Sequence, residues 1–347
     1  MAPRPVRSGR PTLEDVAAKA GVSRSTASRV LNEESYVSPK ARDAVLAAAQ
    51  ALDYSPNQAA RSLVTRRTGA VALLLSEPES KVLDDPYFAA VVRAGFRELA
   101  RVGSQMLVMF VDSADDVPVT ARFLGAGHVD GALVFAPHRD DPLPAALKAL
   151  PLPIVFGGRA GTTRGLHVID FDNRGGARLA VRHLVSLGRR RIATITGPRD
   201  HPAAQDRHGG WRKELAEHGI DPDGLAEDGE FTFDGGEHAM TKLLERAPDL
   251  DAVFAASDPM AAGALRALRA AKRRVPRDVA IIGFDDNPTL APAMSPPLSS
   301  VHQDPAEQVR EMVAVLMRLA AGEDVRPGRR ALPVSLVLRE STPPVRP

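Results

Sequence analysis

The stretch T-L-E-D-V-A-A-K-A-G-V-S-R-S-T-A-S-R-V-L, residues 12–31, decides the fold of the amino-terminal part of the chain. Thr12 and Asp15 have the spacing of a capping box, which starts a helix. Gly21 stands where this helix would end, because glycine enters the left-handed conformation without strain. Ser23 can cap a second helix directly afterwards. The stretch therefore predicts two short helices joined by a glycine-containing turn.

The second predicted helix has two unlike faces. One face carries Ala27, Val30 and Leu31, which we expect to be buried. The opposite face carries arginines and hydroxyl residues. This pattern is typical of a helix-turn-helix, whose second helix lies in the DNA major groove with its N-terminal residues at base edges. The alternative is a helical hairpin inside a larger core, but a core hairpin would not leave an arginine and serine face.

We predict that Arg24, Ser25 and Arg29 of the second helix read bases. Arginine suits bidentate contact with guanine, whereas serine contacts several bases with little preference. For Arg29, a contact with phosphate alone is an equal alternative. Three further polar residues are assigned to phosphate contact or packing: Thr26, Ser28 and Asn32.

A third helix is predicted from Ser38 and Pro39, because serine is a good N-cap and proline fits the first helical position. Three segments then carry a family resemblance: V-S-R-S-T-A-S-R-V-L-N (22–32), V-S-P-K-A-R (37–42) and L-D-Y-S-P-N-Q-A-A-R-S-L (52–63). Taken in this order, they resemble the LacI/GalR family of bacterial transcription regulators. Weaker similarity extends through the rest of the chain.

The segment from Pro56 to Leu63 is a candidate hinge helix, too short to be stable alone. Its composition suits folding against DNA and against the same segment of a dimer mate, and Asn57 is assigned to DNA contact. The resemblance implies that Leu63 wedges into a central base step from the minor groove and kinks the duplex. The alternative is a plain linker with one exposed leucine.

Composition limits the class of protein. The chain of 347 residues has no cysteine, which excludes disulfides and thiolate zinc sites. Residues 1–67 hold eleven Lys and Arg against six Asp and Glu, although the whole chain has a net charge of only +2. A basic segment on a mildly acidic body is typical of a DNA-binding head. With no signal peptide or membrane-spanning run, we expect a cytoplasmic protein without membrane association.

From Gly69 onwards, short apolar runs alternate with helical stretches. Continuous apolar runs bounded by Gly, Pro or Asp are typical of parallel strands buried on both faces. They lie at 70–75, 106–111, 131–135, 153–156, 168–171, 192–196, 252–256 and 280–284. Helical stretches include 88–101, 175–187, 206–218, 237–245 and 259–271. The repeated units predict an α/β fold with doubly wound parallel sheets.

The number of strands favours two lobes, with a break near 160–167. The resemblance implies that 298–303 and a helix at about 305–321 return to the first lobe, and that a strand near 331–339 returns to the second. The predicted parts are a helix-turn-helix head (1–55), a hinge helix and linker (56–67) and an effector-binding core (68–347), whose N-lobe is 69–165 plus 298–327 and whose C-lobe is 166–297 plus 328–342. The core resembles a periplasmic-binding-protein clamshell, with its ligand between the lobes.

Two charged residues are predicted to hold the effector. Arg207 follows a loop after the strand that ends at Thr196, and it matches the family's effector-clamping arginine. Asp285 ends the strand I-I-G-F-D and matches the family's ligand-binding aspartate. A guanidinium facing a carboxylate can bridge adjacent hydroxyls, which favours a sugar ligand. The alternatives are a solvated arginine and a strand-end cap.

Three further residues are assigned to the effector site by weaker patterns. Phe88 and Phe231 could stack on an apolar ligand face, or equally belong to the ordinary core. Asp258 matches a family position near the cleft, although Ser257 replaces the asparagine that often precedes it in sugar-binding members.

Four more residues near the cleft are interpreted without a ligand role. His201 stands where purine-binding members carry arginine, which disfavours a purine effector. Trp211 is expected to pack in the core beside the site. Asp172 and Asn173 match a family motif and are expected to cap the helix that begins near Gly175.

No catalytic pattern is present. Gly125 and Gly127 follow a helix rather than a strand, so a dinucleotide fingerprint fails. His201 and His208 lack the spacing of metal ligands. We therefore expect no enzyme activity, no cofactor and no metal.

We expect a homodimeric transcriptional repressor that binds a near-palindromic operator in double-stranded DNA. A small-molecule effector, expected to be a sugar, would control it allosterically. A sugar-capturing transport protein and an α/β enzyme are the alternatives. Residues 12–63 argue against both.

Overall fold

The computed structural model describes residues 11–31, 37–54, 67–161 and 164–342. The chain divides into two compact units, Met1–Thr68 and Gly69–Pro347. Asn32, Asn57 and Leu63, together with the candidate hinge helix, lie outside the described residues, so their assignments stay predictions.

The first unit contains the three predicted helices, α1 (Leu13–Ala20), α2 (Arg24–Leu31) and α3 (Pro39–Ala51). Their inward faces form a small apolar core that includes Val16, Ala27, Val30, Val45 and Ala48. Leu31 is only partly buried against it.

The capping signals act as the sequence predicts. The Thr12 hydroxyl accepts from the Asp15 N–H, and the Asp15 carboxylate accepts from the Thr12 N–H at 2.9 Å. Gly21 ends α1 in the left-handed conformation, with φ 66°. Ser38 caps α3, whose first residue is Pro39. Side-chain caps thus fix the starts of α1 and α3, and a left-handed glycine ends α1.

The second unit contains strands and helices in alternation. The strands are β1 (Ala70–Leu75), β2 (Gln105–Phe110), β3 (Ala132–Phe135), β4 (Ile154–Gly157), β5 (His167–Phe171), β6 (Ile192–Thr196), β7 (Ala226–Asp228), β8 (Ala252–Ala255), β9 (Ala280–Asp285), β10 (Ser299–His302), β11 (Gly328–Leu332) and β12 (Ser335–Val337). The helices are α4 (Glu79–Asp84), α5 (Pro86–Arg101), α6 (Asp116–Gly125), α7 (Leu143–Lys148), α8 (Asn173–Ser186), α9 (Pro202–Glu217), α10 (Phe233–Arg246), α11 (Asp258–Ala270) and α12 (Pro305–Ala320).

These strands form two sheets, one in each lobe. The first has the order β11-β5-β4-β3-β1-β2 and is parallel throughout. The second has the order β12-β10-β9-β8-β6-β7, and β12 is antiparallel to β10. Buried apolar side chains cover both faces of the first sheet and fill the second lobe. The expected α/β clamshell with doubly wound, largely parallel sheets is therefore present.

The division between the lobes differs from the expected boundaries. Strand β5 belongs to the first sheet, although 166 onwards was assigned to the C-lobe. Strand β10 pairs with β9 in the second sheet, although 298–303 was expected in the first lobe. The segment near 331–339 splits, because β11 pairs with β5 and β12 pairs with β10. Helix α12 does pack in the first lobe, where Val309 and Met312 join its core.

The physical reason is that strands of both sheets have the same apolar pattern. Only pairing with neighbouring strands decides which sheet a run such as V-I-D-F enters. The chain consequently crosses between the lobes three times, after β5, after β10 and after β11.

Among the described helices, none is long and apolar enough to cross a membrane.

Candidate DNA-recognition helix and effector site

The proposed base-reading face of α2 is exposed. Arg24, Ser25 and Arg29 all lie on the surface of the first unit. The Arg24 Nε atom is 2.7 Å from the Glu14 Oε1 atom of α1, and both side chains are more than half exposed. An exposed ion pair contributes only ~0–1 kcal/mol. The Arg24 guanidinium can therefore leave Glu14 for a stronger acceptor.

Hydroxyl groups stabilise the start of α2. The Thr26 N–H donates to Ser23 Oγ at 3.1 Å, and the Ser23 and Thr26 hydroxyls are 2.8 Å apart. The Ser25 hydroxyl also lies 2.8 Å from Ser23 Oγ. Thr26 and Ser28 are half-buried. Thr26 thus has a local structural role, whereas the exposed Ser25 remains accessible at the helix start.

A cavity lies between the two lobes of the second unit. It encloses about 740 Å³ of space, including its opening to solvent. Much of its lining follows the carboxyl ends of parallel strands, which is where open α/β sheets bind ligands. Four of the five predicted effector residues line it: Phe88, Arg207, Phe231 and Asp285.

Arg207 is buried and held by several neighbours. Its Nε donates to Asn173 Oδ1 at 2.8 Å, and its Nη1 donates to the Ala256 carbonyl at 2.6 Å. Its guanidinium carbon lies 3.6 Å from the centre of the Phe284 ring. The Nη1 atom is 3.5 Å from Asp285 Oδ1. Only 6% of Arg207 is exposed, so the alternative of a solvated helix arginine is wrong.

Asp285 has a strained backbone and a fixed carboxylate. Gln303 Nε2 donates to its Oδ1 atom at 2.8 Å. Burial raises the pKa of Asp285 above its ordinary value, and the Arg207 charge offsets part of this effect. Asp285 has φ 103°, and the cavity residues Ala136 and Phe231 have φ 56° and 60°. Such backbone strain costs ~1–3 kcal/mol per residue and is typical of ligand clamps.

Asp258 does not line the cavity, in contrast to its predicted role. It is fully buried. Its Oδ1 atom accepts from Ser300 Oγ at 2.6 Å, and its Oδ2 atom accepts from the Asn287 N–H at 2.7 Å. Burial raises its pKa to about 7, against the effect of these hydrogen bonds. Asp258 therefore fixes the loop after β9, while its neighbour Ser257 lines the cavity.

The adjacent residues Asp172 and Asn173 have separate roles. Asp172 caps α8, because its Oδ1 atom accepts from the Gly175 N–H at 2.9 Å. Asn173 was expected to help cap this helix, but it lines the cavity and its Oδ1 atom accepts from Arg207. Trp211 is fully buried and donates to the Ile192 carbonyl, as expected for a core residue.

Several cavity residues were missed by the sequence analysis. Most of them lie just after a strand or near the start of a helix. The Tyr87 hydroxyl donates to Gln308 Oε1 at 3.1 Å. Burial raises the pKa of Asp85 to about 6. The missed polar lining residues are Glu77, Lys81, Asp85, Tyr87, Arg159, Asp170, Gln303 and Gln308.

His201 also lines the cavity and stays uncharged. Its Nδ1 atom accepts from the Ala203 N–H at the start of α9, so the neutral ring carries its proton on Nε2. Burial lowers the pKa of His201 to about 3. Its ring meets the Phe231 ring edge to face, with centroids 5.3 Å apart.

Among the described residues, no group of three His, Asp or Glu could hold a metal ion.

Two family models match the chain. The model described as bacterial regulatory proteins, lacI family, matches residues 12–57. The model described as a periplasmic binding protein-like domain matches residues 181–342. The first covers the predicted helix-turn-helix, and the second covers most of the second lobe.

Similar proteins match along almost the whole chain. The HTH-type transcriptional regulator CelR of Thermobifida fusca is 46% identical over 338 residues, 96% of this chain and 99% of that protein. The ribose operon repressor of Escherichia coli strain K12 is 34% identical over 305 residues, 87% of this chain and 90% of that protein.

Solved structures agree with these similarities. A complex of the transcriptional regulator CelR with cellobiose is 44% identical, with a TM-score of 0.75 over 96% of this chain and all of that one. The lac repressor dimer bound to operator and the anti-inducer ONPF is 31% identical, with a TM-score of 0.86 over 96% of this chain and 99% of that one. The chain therefore belongs to the lacI family of bacterial regulatory proteins and is a DNA-binding transcriptional regulator.

Proposed function

We propose that this regulator is a homodimeric repressor whose affinity for its operator is controlled by a sugar bound between the lobes. The observation that carries the proposal is the pairing of Arg207 with Asp285 in the cavity, 3.5 Å apart and next to Phe231. A fixed guanidinium and carboxylate can together hold adjacent hydroxyl groups, and an aromatic ring packs on the apolar face of a sugar.

Cellobiose is the first sugar to test. The similar regulator CelR has been solved as a complex with cellobiose. Other relatives are the ribose operon repressor and the lactose operon repressor of Escherichia coli strain K12, whose names also refer to sugars. Because the proposed target is chromosomal DNA, the protein would act in the cytoplasm as a regulator without catalytic activity.

The proposed DNA contacts are those of α2. Arg24 and Ser25 would read base edges in the major groove, and Arg29 would read a base or grip phosphate. A dimer presents two such helices about one helical turn apart, which predicts a near-palindromic operator.

The experiment combines a gel shift with calorimetry. Full-length protein is mixed with DNA from upstream of its own gene and with a scrambled duplex, each with and without cellobiose. We expect a specific complex that cellobiose weakens. Calorimetry with cellobiose, ribose and lactose then identifies the preferred ligand. Binding to a sugar without binding to DNA would instead support a transport protein, and a best ligand without hydroxyl groups would refute the sugar assignment.

A further inference from the structure

His138 contacts a carboxylate with each of its ring nitrogens. Its Nε2 atom is 3.2 Å from Glu77 Oε1, and its Nδ1 atom is 2.9 Å from Asp200 Oδ2. A neutral imidazole has one donor and one acceptor, so one nitrogen would then face a carboxylate with its lone pair. Only the imidazolium donates to both carboxylates. The geometry therefore favours a charged His138.

The two carboxylates belong to different lobes. Glu77 follows β1 and His138 follows β3, so both lie at the edge of the first sheet. Asp200 lies between β6 and α9 in the second lobe. An opening of the lobes would thus separate His138 from Asp200 but leave it beside Glu77.

We propose that His138 and Asp200 form a proton-dependent latch that holds the lobes closed, so that effector binding is accompanied by proton uptake. The latch rests on the proposed function in one respect, namely that the effector binds between closed lobes. It adds a means by which pH tunes the affinity of that site.

The surroundings of His138 support this assignment. Hydrogen bonding to Glu77 raises the pKa of His138, and the bond to Asp200 adds to this effect against burial. Burial would raise the pKa of Glu77, but its bonds to His138 and Lys81 hold it lower, so that it stays ionised. His201, whose ring centroid is 5.4 Å from that of His138, remains neutral.

Charged and titratable groups from both lobes lie near His138. The Lys81 ammonium is 2.8 Å from Glu77 Oε1 and shares that carboxylate with His138. The neighbouring groups include Glu77 after β1, Lys81 of α4, and Asp200 and His201 before α9, and the charged residues Arg139, Asp140 and Asp141 follow His138 in sequence.

Two further bonds link the Arg139 residue of the first lobe to the second lobe. The Arg139 N–H donates to the Asp200 carbonyl at 3.0 Å, and the Arg139 guanidinium donates to Gln205. The latch should therefore modulate closure rather than decide it alone. Because the closed form binds the proton more tightly, closure is favoured at low pH and weakens as pH rises through the pKa of His138.

Calorimetry with cellobiose tests the linkage. The dissociation constant is measured from about pH 6 to about pH 8.5, which brackets histidine titration, in buffers of different ionisation enthalpy. We expect proton uptake on binding and an affinity that falls ~3–10-fold across this range, since one pKa unit of coupling corresponds to tenfold. Asp200→Asn keeps a hydrogen-bonding group without the charge, so it should remove most of the slope. His218→Gln, within the second lobe, is the matched control.

A second measurement does not depend on cellobiose. Full-length protein with isotope-labelled histidine rings is titrated by NMR, with His138→Gln used to assign the resonance. We expect His138 to titrate at a lower pH in Asp200→Asn than in the wild type. Equal titration in both proteins, or cellobiose binding without proton uptake, would overturn the latch. Absence of cellobiose binding at every pH would refute only the cellobiose assignment, and the NMR titration would still decide the latch.

Discussion

Arg207 and Asp285 face each other across 3.5 Å, and each is held by an amide side chain from another element. Asn173, at the start of α8, accepts from the Arg207 guanidinium, and Gln303, after β10, donates to the Asp285 carboxylate. Both amides follow points where the chain passes from one lobe to the other. The geometry of the charged pair is therefore tied directly to the crossing segments.

Removing either member of the pair should weaken the response to ligand. Arg207→Ala and Asp285→Ala each leave a buried polar partner unsatisfied, at a cost of ~1–3 kcal/mol. We expect cellobiose affinity to fall about tenfold or more by calorimetry. Operator binding without ligand should persist in a gel shift. Arg266→Ala removes an exposed arginine of the same lobe and serves as control; equal cellobiose affinity in all three variants would place the effector elsewhere.

Asp172 and Asn173 allow a test between neighbouring residues. Asp172→Ala removes the cap of α8 and should lower the free energy of unfolding by ~0.5–2 kcal/mol with little effect on cellobiose affinity. Asn173→Ala should mainly lower the affinity for cellobiose, because it frees the Arg207 guanidinium from its fixed position. Chemical denaturation and calorimetry on both variants measure the two effects. Equal losses of affinity would contradict the separate roles.

Arg24→Ala should cost ~1–3 kcal/mol at the cognate operator and relax the preference at one base pair in each half-site. Fluorescence anisotropy with the operator and with single-base variants measures this. Glu14→Ala breaks the same exposed ion pair but keeps the guanidinium, so it should bind operator at least as well as the wild type. A loss that is equal on all DNA sequences would show that Arg24 contacts phosphate.

Glu214 predicts a pH-dependent contribution to stability. Its carboxylate is fully buried and accepts from Arg178 Nε at 2.6 Å and Arg182 Nε at 2.7 Å. Burial would raise its pKa, but the bonds from Arg182 and Arg178 outweigh this and lower it from the ordinary 4.5. The stabilisation is therefore complete above pH 4.5 and is lost as pH falls through the lowered folded-state value.

The corresponding variant is Glu214→Gln. At neutral pH it should lower the free energy of unfolding by ~1–3 kcal/mol. The difference from the wild type should shrink below pH 4.5. Urea denaturation at neutral pH and below pH 4.5 measures the free energy of unfolding of both proteins. A difference between them that grows in acid would contradict the role of the ionised carboxylate.

The sequence predicts the elements of this fold better than their assembly. Runs such as A-V-A-L-L-L at 70–75 define strands through local pattern alone, and capping residues define α1 and α3. Sheet membership of β5 and β10 was mispredicted because it depends on pairing between distant segments. Helices α4 and α7, with six residues each, are too short to show a helical period.

The same division applies to the effector site. Arg207 and Asp285 could be found because they match the positions of the effector-clamping arginine and the ligand-binding aspartate of the family that the sequence resembles. Asn173 could not be distinguished from a cap, since it follows Asp172 directly and both are typical of helix starts. Asp258 was misassigned because its partners, Asn287 and Ser300, lie 29 and 42 residues away in sequence. The hydrogen bonds that Asp258 accepts inside the protein become apparent only from the three-dimensional structure.

The three crossings between the lobes determine the order in which the effector-binding unit can be completed during synthesis. The first sheet lacks an edge strand until β11 has left the ribosome, and the second lacks one until β12 has followed. Ser341 then joins the second sheet by donating to the Ile281 carbonyl. Both sheets are therefore completed late and almost together, by β11 and β12, whereas α1, α2 and α3 emerge first and share a core of their own. A nascent regulator thus acquires its DNA-binding helices long before it can sense a ligand.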